Sequence, residues 1–284
     1  MSRRVLIAGC GFLGSEIARQ LIDRGDRIWG LRRDPAGLPP GIQPIAADLS
    51  DASSALELPV EYDLVIYSVG PDNRSAAAYR AAYETGFTRL AAVLRRQVRR
   101  PTILFTSSTG VYGADDGRWV DESSDPQPRQ ETSQLLIQAE QAALAADLGV
   151  TICRLAGLYG PGRRRLIDRV RRGEATCQEG PPHYGNRIHR DDAAAALIYL
   201  AELDRREELY LVADDEPAEQ CAVITWLAER LDAPPPRHVP LGAGSEEGTN
   251  KRCRNHRLKA TGYRLRYPTF REGYTHVLSL LDTP

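Results

Sequence analysis

No apolar run in this sequence approaches the ~18 residues that a membrane-spanning helix needs, so no membrane partner is expected. Charge of one sign is also lacking. The formal net charge over 284 residues is -1, without the basic surplus that would favour a nucleic-acid polymer or an anionic surface as main partner. The five cysteines (Cys10, Cys153, Cys177, Cys221 and Cys253) form no CxxC and no metal-ligand spacing. Free thiols in a reducing compartment and no bound metal are therefore expected. "MSRR" leads directly into an apolar run with no signal-peptide core, which fits a cytoplasmic location. There is no internal repeat and no low-complexity tract. What remains, 42% hydrophobic and 26% charged residues, is the composition of an ordinary globular chain.

The pattern that is present alternates between two periods. Val5 to Ala8 is a short continuous apolar run, suited to a strand buried on both faces. Leu13, Ile17, Leu21 and Ile22 then recur at helical spacing up to Gly25, and a second strand covers Arg27 to Leu31. Further strands are predicted over 42–47, 63–69, 102–107 and 150–156, with helices over 75–98 and 131–147. Strands alternating with helices predict an α/β fold, a Rossmann-type doubly wound parallel sheet. After Gly157 the rhythm loosens into Gly-, Pro- and Arg-rich loops around single helices at 191–203 and 217–231, with "DAPPPRHVP" as a stiff connector. The expected organisation is a dinucleotide-binding domain over 1–156. A smaller, interwoven substrate lobe follows over 157–284, with about 187–232 returning to the first domain.

"GCGFLG" (Gly9, Cys10, Gly11, Phe12, Leu13, Gly14) lies where a first strand ends and a first helix begins. There a G-x-G-x-x-G has a mechanism. Gly9 allows the tight turn, Gly11 lets backbone approach a pyrophosphate, Gly14 lets helix pack on sheet, and the helix N-terminus faces the phosphates. After the second strand the chain offers Arg32 and Arg33, where an NAD site offers a carboxylate to the ribose. Two guanidiniums suit a 2′-phosphate, so NADP is the expected cofactor and NAD the lesser one; the competing reading leaves both arginines as surface charges and gives the ribose to Asp34.

At this point the residues resemble the extended short-chain dehydrogenase/reductases, which include the sugar-nucleotide epimerases and dehydratases. "AADL" resembles the family's adenine contact and implies Asp48 and Leu49 beside the base. "YSVG" implies Ser68, Val69 and Gly70 along the nicotinamide ribose. "SSTGVYG" implies Ser108 as the catalytic hydroxyl. "RLAGLYGPGR" and "NRIHRDDAAAAL" resemble the segments that enter and close the substrate lobe. The departure falls in the next helix. With Glu140 as the family's glutamate, Thr132 stands at the tyrosine of Tyr-x-x-x-Lys and Leu136 at the lysine; Tyr83 stands where the family carries asparagine. A threonine hydroxyl is too weak an acid to replace a phenol, and leucine supplies no charge to assist it. These losses, the short glycine loop and the C-terminal segments resemble the atypical epimerase/dehydratase-like members.

The catalytic candidates are accordingly Ser108, Thr132, Tyr83 and Tyr112, with helix capping as the competing role for Thr132 and packing for both tyrosines. Arg154, Arg163 and Arg187 are candidates for an anionic, phosphate-bearing substrate, since guanidinium forks match phosphate, and His189 falls in the substrate-lobe motif. Small-residue faces "AAAYRAAY" and "AEQAALAA" are compatible with a homodimer through the two long helices. The expected function is an NADP-dependent oxidoreductase or epimerase acting on a sugar nucleotide or similar polyol. The alternative is a non-catalytic NADP(H)-binding sensor or scaffold.

Overall fold

The computed structural model describes residues 2–51, 53, 55–240 and 249–281. The first strands are β1 (Arg4–Ala8), β2 (Arg27–Arg32), β3 (Ile42–Ala46), β4 (Leu64–Tyr67) and β5 (Thr102–Ser108). With Val150–Leu155 and Leu209–Val212 they form one seven-stranded sheet. Its order is Leu209–Val212, Val150–Leu155, β5, β4, β1, β2, β3. From Val150–Leu155 to β3 every pairing is parallel, with Val5 opposite Ile28 on one side and Leu64 on the other. This is the doubly wound α/β fold. Val5, Leu6, Ile7 and Ala8 are fully buried, as a strand covered on both faces requires. Chain order reverses beside β1, and that is where such sheets open a crevice at their carboxyl ends.

Two compact units divide the chain. The first comprises Met1–Val111, Pro128–Leu155 and Ala193–Tyr210, and the second Tyr112–Gln127, Ala156–Asp192 and Leu211–Pro284. Residues 112–127, read from sequence as part of the first domain, thus fall in the second unit. Their bonds explain it: Trp119–Val120 pairs with Arg252–Cys253, and Glu122 accepts from the Leu211 N–H at 2.7 Å. The second unit has its own apolar core, in which Tyr159, Ile167, Val223, Leu227, Phe270 and Val277 pack together. One sequence expectation fails in it. Cys177 and Cys221 are disulfide-bonded, 44 residues apart, because a short strand (Thr176–Gln178) and the first turn of a helix (Gln220–Arg230) bring their Cα atoms to 5.1 Å. Cys10, Cys153 and Cys253 are free and buried.

The helix predicted over 75–98 is also different. Ser75 caps an α-helical turn (Ala76–Tyr79), a π-helical stretch follows (Arg80–Thr85), and α-helix resumes over Gly86–Leu94. The cause is a side chain from the sheet. The buried Tyr67 hydroxyl donates to the carbonyl of Ala82, which in an α-helix would accept from the Gly86 N–H. Gly86 makes room, since a Cβ there would collide with that hydroxyl. The helix predicted over 131–147 spans Glu131–Leu144.

Candidate functional site

A cleft of about 340 Å³ opens at the carboxyl ends of β1 to β4. Its lining includes Gly9 and Gly11, Arg32 and Arg33, Asp48 and Leu49, and Ser68, Val69 and Gly70, so nine residues singled out from four separated motifs converge on one cavity. Phe12, Leu13 and Gly14 do not line it. Leu13 and Gly14 are buried in the helix Phe12–Ile22, where a Cβ on Gly14 would meet the Gly9 carbonyl and come within 3.0 Å of Ile7. Gly9 has φ of 91°, and Gly11 caps the helix with nothing within 4 Å of where its Cβ would stand. The loop is tight on the sheet side and open on the cleft side. An anionic group there would face the N–H groups of an 11-residue helix.

Arg32 and Arg33 behave differently. Arg32 donates to the Cys10 carbonyl at 3.4 Å, tying the end of β2 to the glycine loop. Arg33 is exposed and makes a two-pronged pair with Asp72, at 2.7 and 2.5 Å, beyond β4. That pair holds the Asp72 carboxyl below its ordinary range. Asp34, the alternative ribose partner, lines the cleft but accepts from the Ala36 N–H at 3.0 Å as the cap of a short turn. Asp48 likewise accepts from the Ser50 N–H (2.8 Å) and hydroxyl (2.6 Å). Asp72 was missed from sequence; it lies 39 residues from Arg33, and no local pattern announces the pair.

The π-helical stretch borders the same cavity through Ala81 and Ala82. Replacing Tyr67 by phenylalanine removes the hydroxyl that diverts the Ala82 carbonyl. We expect that wall to relax toward α-helix and dinucleotide affinity to fall by about tenfold, the effect of losing roughly one buried hydrogen bond's worth of order. Titration calorimetry of Tyr67→Phe checks it; unchanged affinity would mean the π-helix does not shape the cleft.

Ser108 ends β5, the strand beside β4. It is half-buried, and its Oγ accepts the Gly110 N–H at 3.0 Å, which leaves its own proton to donate. A Cβ on Gly110 would stand 3.2 Å from the Ser108 Oγ and 3.9 Å from the Ser133 Oγ, so two hydroxyls converge around this glycine. Ser133 was not among the sequence candidates. Thr132 is half-buried in the first turn of Glu131–Leu144; it is not the cap, a position that Gln130 holds. Leu136, one turn on, is buried. Tyr83 sits in the π-helical stretch with its ring 5.6 Å from Tyr79 and 6.1 Å from Phe105, and burial pushes its phenol well above the usual range.

Two candidate substrate contacts, Arg154 and His189, and one catalytic candidate, Tyr112, are held by internal partners. Arg154 is 5% exposed and donates to Glu140 from Nε (3.1 and 3.2 Å) and Nη2 (2.6 Å), while the Ser107 hydroxyl also donates to Glu140. It is a buried structural ion pair within the first unit. Tyr112, in the second unit, is 1% exposed and donates to the Asp121 carbonyl at 2.7 Å; it pins its loop. His189 is fully buried in the second unit. Its Nδ1 accepts the Asp191 N–H at 3.2 Å, and its ring packs on Tyr159 and Tyr267. Arg163 remains exposed, with Nη1 donating to the Leu158 carbonyl at 3.3 Å. Arg187 is half-buried near Asp214 in the same unit, and burial pushes that aspartate well above the usual carboxylate range while Arg187 opposes the shift. Among the described residues no helix is long and apolar enough to cross a membrane.

Comparison with known proteins adds an independent line. The profile of the "NAD dependent epimerase/dehydratase family" matches residues 5–213. A solved structure from Methylobacillus flagellatus, described as an NAD-dependent epimerase/dehydratase, is 33% identical over 99% of both chains, with a TM-score of 0.80. A Streptomyces protein named 3-diazoavenalumate denitrifying reductase is 28% identical over 95% of this chain and 98% of its own. WbmG from Bordetella bronchiseptica, solved in complex with NAD and UDP, covers 99% of this chain and 96% of its own at a TM-score of 0.83; its 18% identity speaks to the fold alone.

Proposed function

The chain belongs to the NAD-dependent epimerase/dehydratase family, and from that premise we propose that it is an NADP-dependent oxidoreductase acting on a sugar nucleotide or similar polyol, working without the family's Tyr-x-x-x-Lys pair. The observation that carries this reading is the single cleft into which the glycine loop, the arginine-bearing end of β2 and Ser68–Gly70 all open. The cavity fits the cofactor chemically: nothing stands within 4 Å of where a Gly11 Cβ would lie, and the guanidiniums of Arg32 and Arg33 line the cleft at the end of β2, with Asp34 beside them. An exposed ion pair such as Arg33–Asp72 gains little over hydration in water, whereas a guanidinium fork on a phosphate makes two charge-assisted hydrogen bonds in matched geometry. Arg33 would therefore exchange Asp72 for a 2′-phosphate. The name of the Streptomyces relative supports a reductase.

When bound, the cofactor supplies a hydride to an electrophilic substrate atom. Ser108 contributes the hydroxyl that polarises the substrate oxygen, and its orientation comes from the Gly110 N–H it accepts. Thr132 and the apolar Leu136 cannot act as a phenol and its ammonium, so the proton delivered to that oxygen is assigned to solvent. A homodimer through the helices 76–94 and 131–144 is part of the same reading.

The test is NADPH oxidation against UDP-, GDP- and dTDP-sugars, with an aromatic diazo acid as a further arm and products identified by mass. Turnover is expected, and Ser108→Ala should lower kcat by about 100-fold, the usual effect of losing one donor to a developing oxyanion. Saturable NADPH binding with no product in any arm would favour the non-catalytic NADP(H)-binding reading, for which the buried Leu136 speaks.

A further inference from the structure

We propose that Cys177, Cys221 and His238 form, in the reduced protein, a binding site for zinc. The three come from separate elements of the second unit. Cys177 lies on the strand Thr176–Gln178, Cys221 in the first turn of Gln220–Arg230, and His238 on Arg237–Val239. The two strands pair in parallel with His238 directly opposite Cys177, which puts imidazole and sulfur on the same face of the pair. One donor atom from each residue lies within 4.8 Å of the others. Zinc takes sulfur at about 2.3 Å and nitrogen at about 2.0–2.1 Å in a tetrahedron, so its ligands stand just under 4 Å apart, and little movement would form the site.

The donor set has a chemical preference. Two thiolates and an imidazole select zinc over hard cations such as magnesium or calcium. Burial is graded across the site: Cys177 is buried, Cys221 half-buried and His238 exposed. One side therefore faces solvent, which leaves the fourth position to water. The connector before His238, with Pro234, Pro235 and Pro236 in succession, restricts how that strand can be delivered and holds the imidazole near the sulfurs without a local CxxC. No local motif could reveal the site, because its ligands are separated by 44 and 17 residues (221 − 177 and 238 − 221).

The disulfide seen between Cys177 and Cys221 is the competing state. Two thiols of a cellular dithiol reductant open it by exchange: the S–S bond breaks, two protein thiols form, and the reductant leaves as its own disulfide. Zinc then displaces two thiol protons and binds both sulfurs and the imidazole, with no change in oxidation state. Metal and disulfide exclude one another, so Cys177 and Cys221 would hold zinc together with His238 under reducing conditions and form a covalent cross-link under oxidising ones.

The experiment uses the full chain, reduced with a phosphine under argon and titrated with Co²⁺ as the spectroscopic stand-in for zinc. One equivalent should raise sulfur-to-cobalt charge-transfer and tetrahedral ligand-field bands, and Zn²⁺ should bleach them. His238→Ala, at an exposed position, should leave the circular dichroism unchanged and weaken Co²⁺ binding by at least about tenfold, and Cys221→Ser should lower the charge-transfer band by half or more. Absence of these bands in the reduced protein would overturn the proposal. So would bands of unchanged intensity and affinity in both variants, or a Cys177–Cys221 bond that mass spectrometry shows intact in excess phosphine.

Discussion

Glu140→Ala should destabilise the protein by about 4 kcal/mol, because it strands the buried Arg154 guanidinium without its counter-charge. The pair lies inside the first unit, with 5% of Arg154 and 4% of Glu140 exposed, so water cannot take over the missing interaction. Ser107 loses its acceptor at the same time. For a chain of this size the loss corresponds to a fall in Tm of roughly 10 °C. The double variant Glu140→Leu with Arg154→Leu should recover most of it, since replacing both members of a buried ion pair by apolar residues is often neutral. Differential scanning calorimetry of the two variants checks this. A double variant no better than Glu140→Ala would mean that the site depends on its charges for more than mutual compensation.

Gly9→Ala should fail in a different way from Gly11→Ala. A Cβ at position 9 requires the left-handed φ of 91° and would come within 2.6 Å of the Val69 nitrogen, backbone that cannot turn aside. Left-handed strain of about 1–2 kcal/mol and an overpacking term of about 1–3 kcal/mol together suggest a loss near 3 kcal/mol. The glycine loop would also shift, and dinucleotide affinity should drop by about 100-fold or more, as two lost charge-assisted contacts would produce. At Gly11 nothing lies within 4 Å of the new methyl, so folding should be unchanged. That methyl stands in the cleft, however, and affinity should still fall at least tenfold, the effect of roughly one lost phosphate contact. Tm and calorimetric affinity measured on both variants separate the roles. Equal Tm losses would contradict the assignment of Gly9 to the sheet and Gly11 to the ligand.

These two sites also show what the sequence made legible. β1, the glycine loop and β2 were readable because their signals are local: a continuous apolar run, a fixed spacing of glycines, and a helical period over 13–22. The cleft followed from the same logic, since four strand ends in a parallel sheet must open on one side. Features made by distant partners stayed hidden. Arg154 read as a free guanidinium because nothing nearby shows that it lies against Glu140, and Arg33 gave no sign of Asp72. The π-helical stretch depends on a hydroxyl 15 residues upstream that reaches Ala82 from the sheet, while propensity alone predicts an unbroken helix over 75–98. The Cys177–Cys221 bond joins residues 44 apart, beyond any spacing rule for a cysteine pair.

NADP as the ligand of the cleft underlies every functional step proposed for this chain. The measurement that tests it most directly is titration calorimetry of NADP+ and NAD+ into the same protein, repeated on Arg33→Ala. NADP+ should bind about 10- to 100-fold more tightly, from one bidentate phosphate contact less the cost of releasing Asp72, and Arg33→Ala should bring the two affinities together by weakening NADP+ alone. Equal affinities in the unsubstituted protein, or tighter binding of NAD+, would contradict the account and leave Arg33 as the surface partner of Asp72.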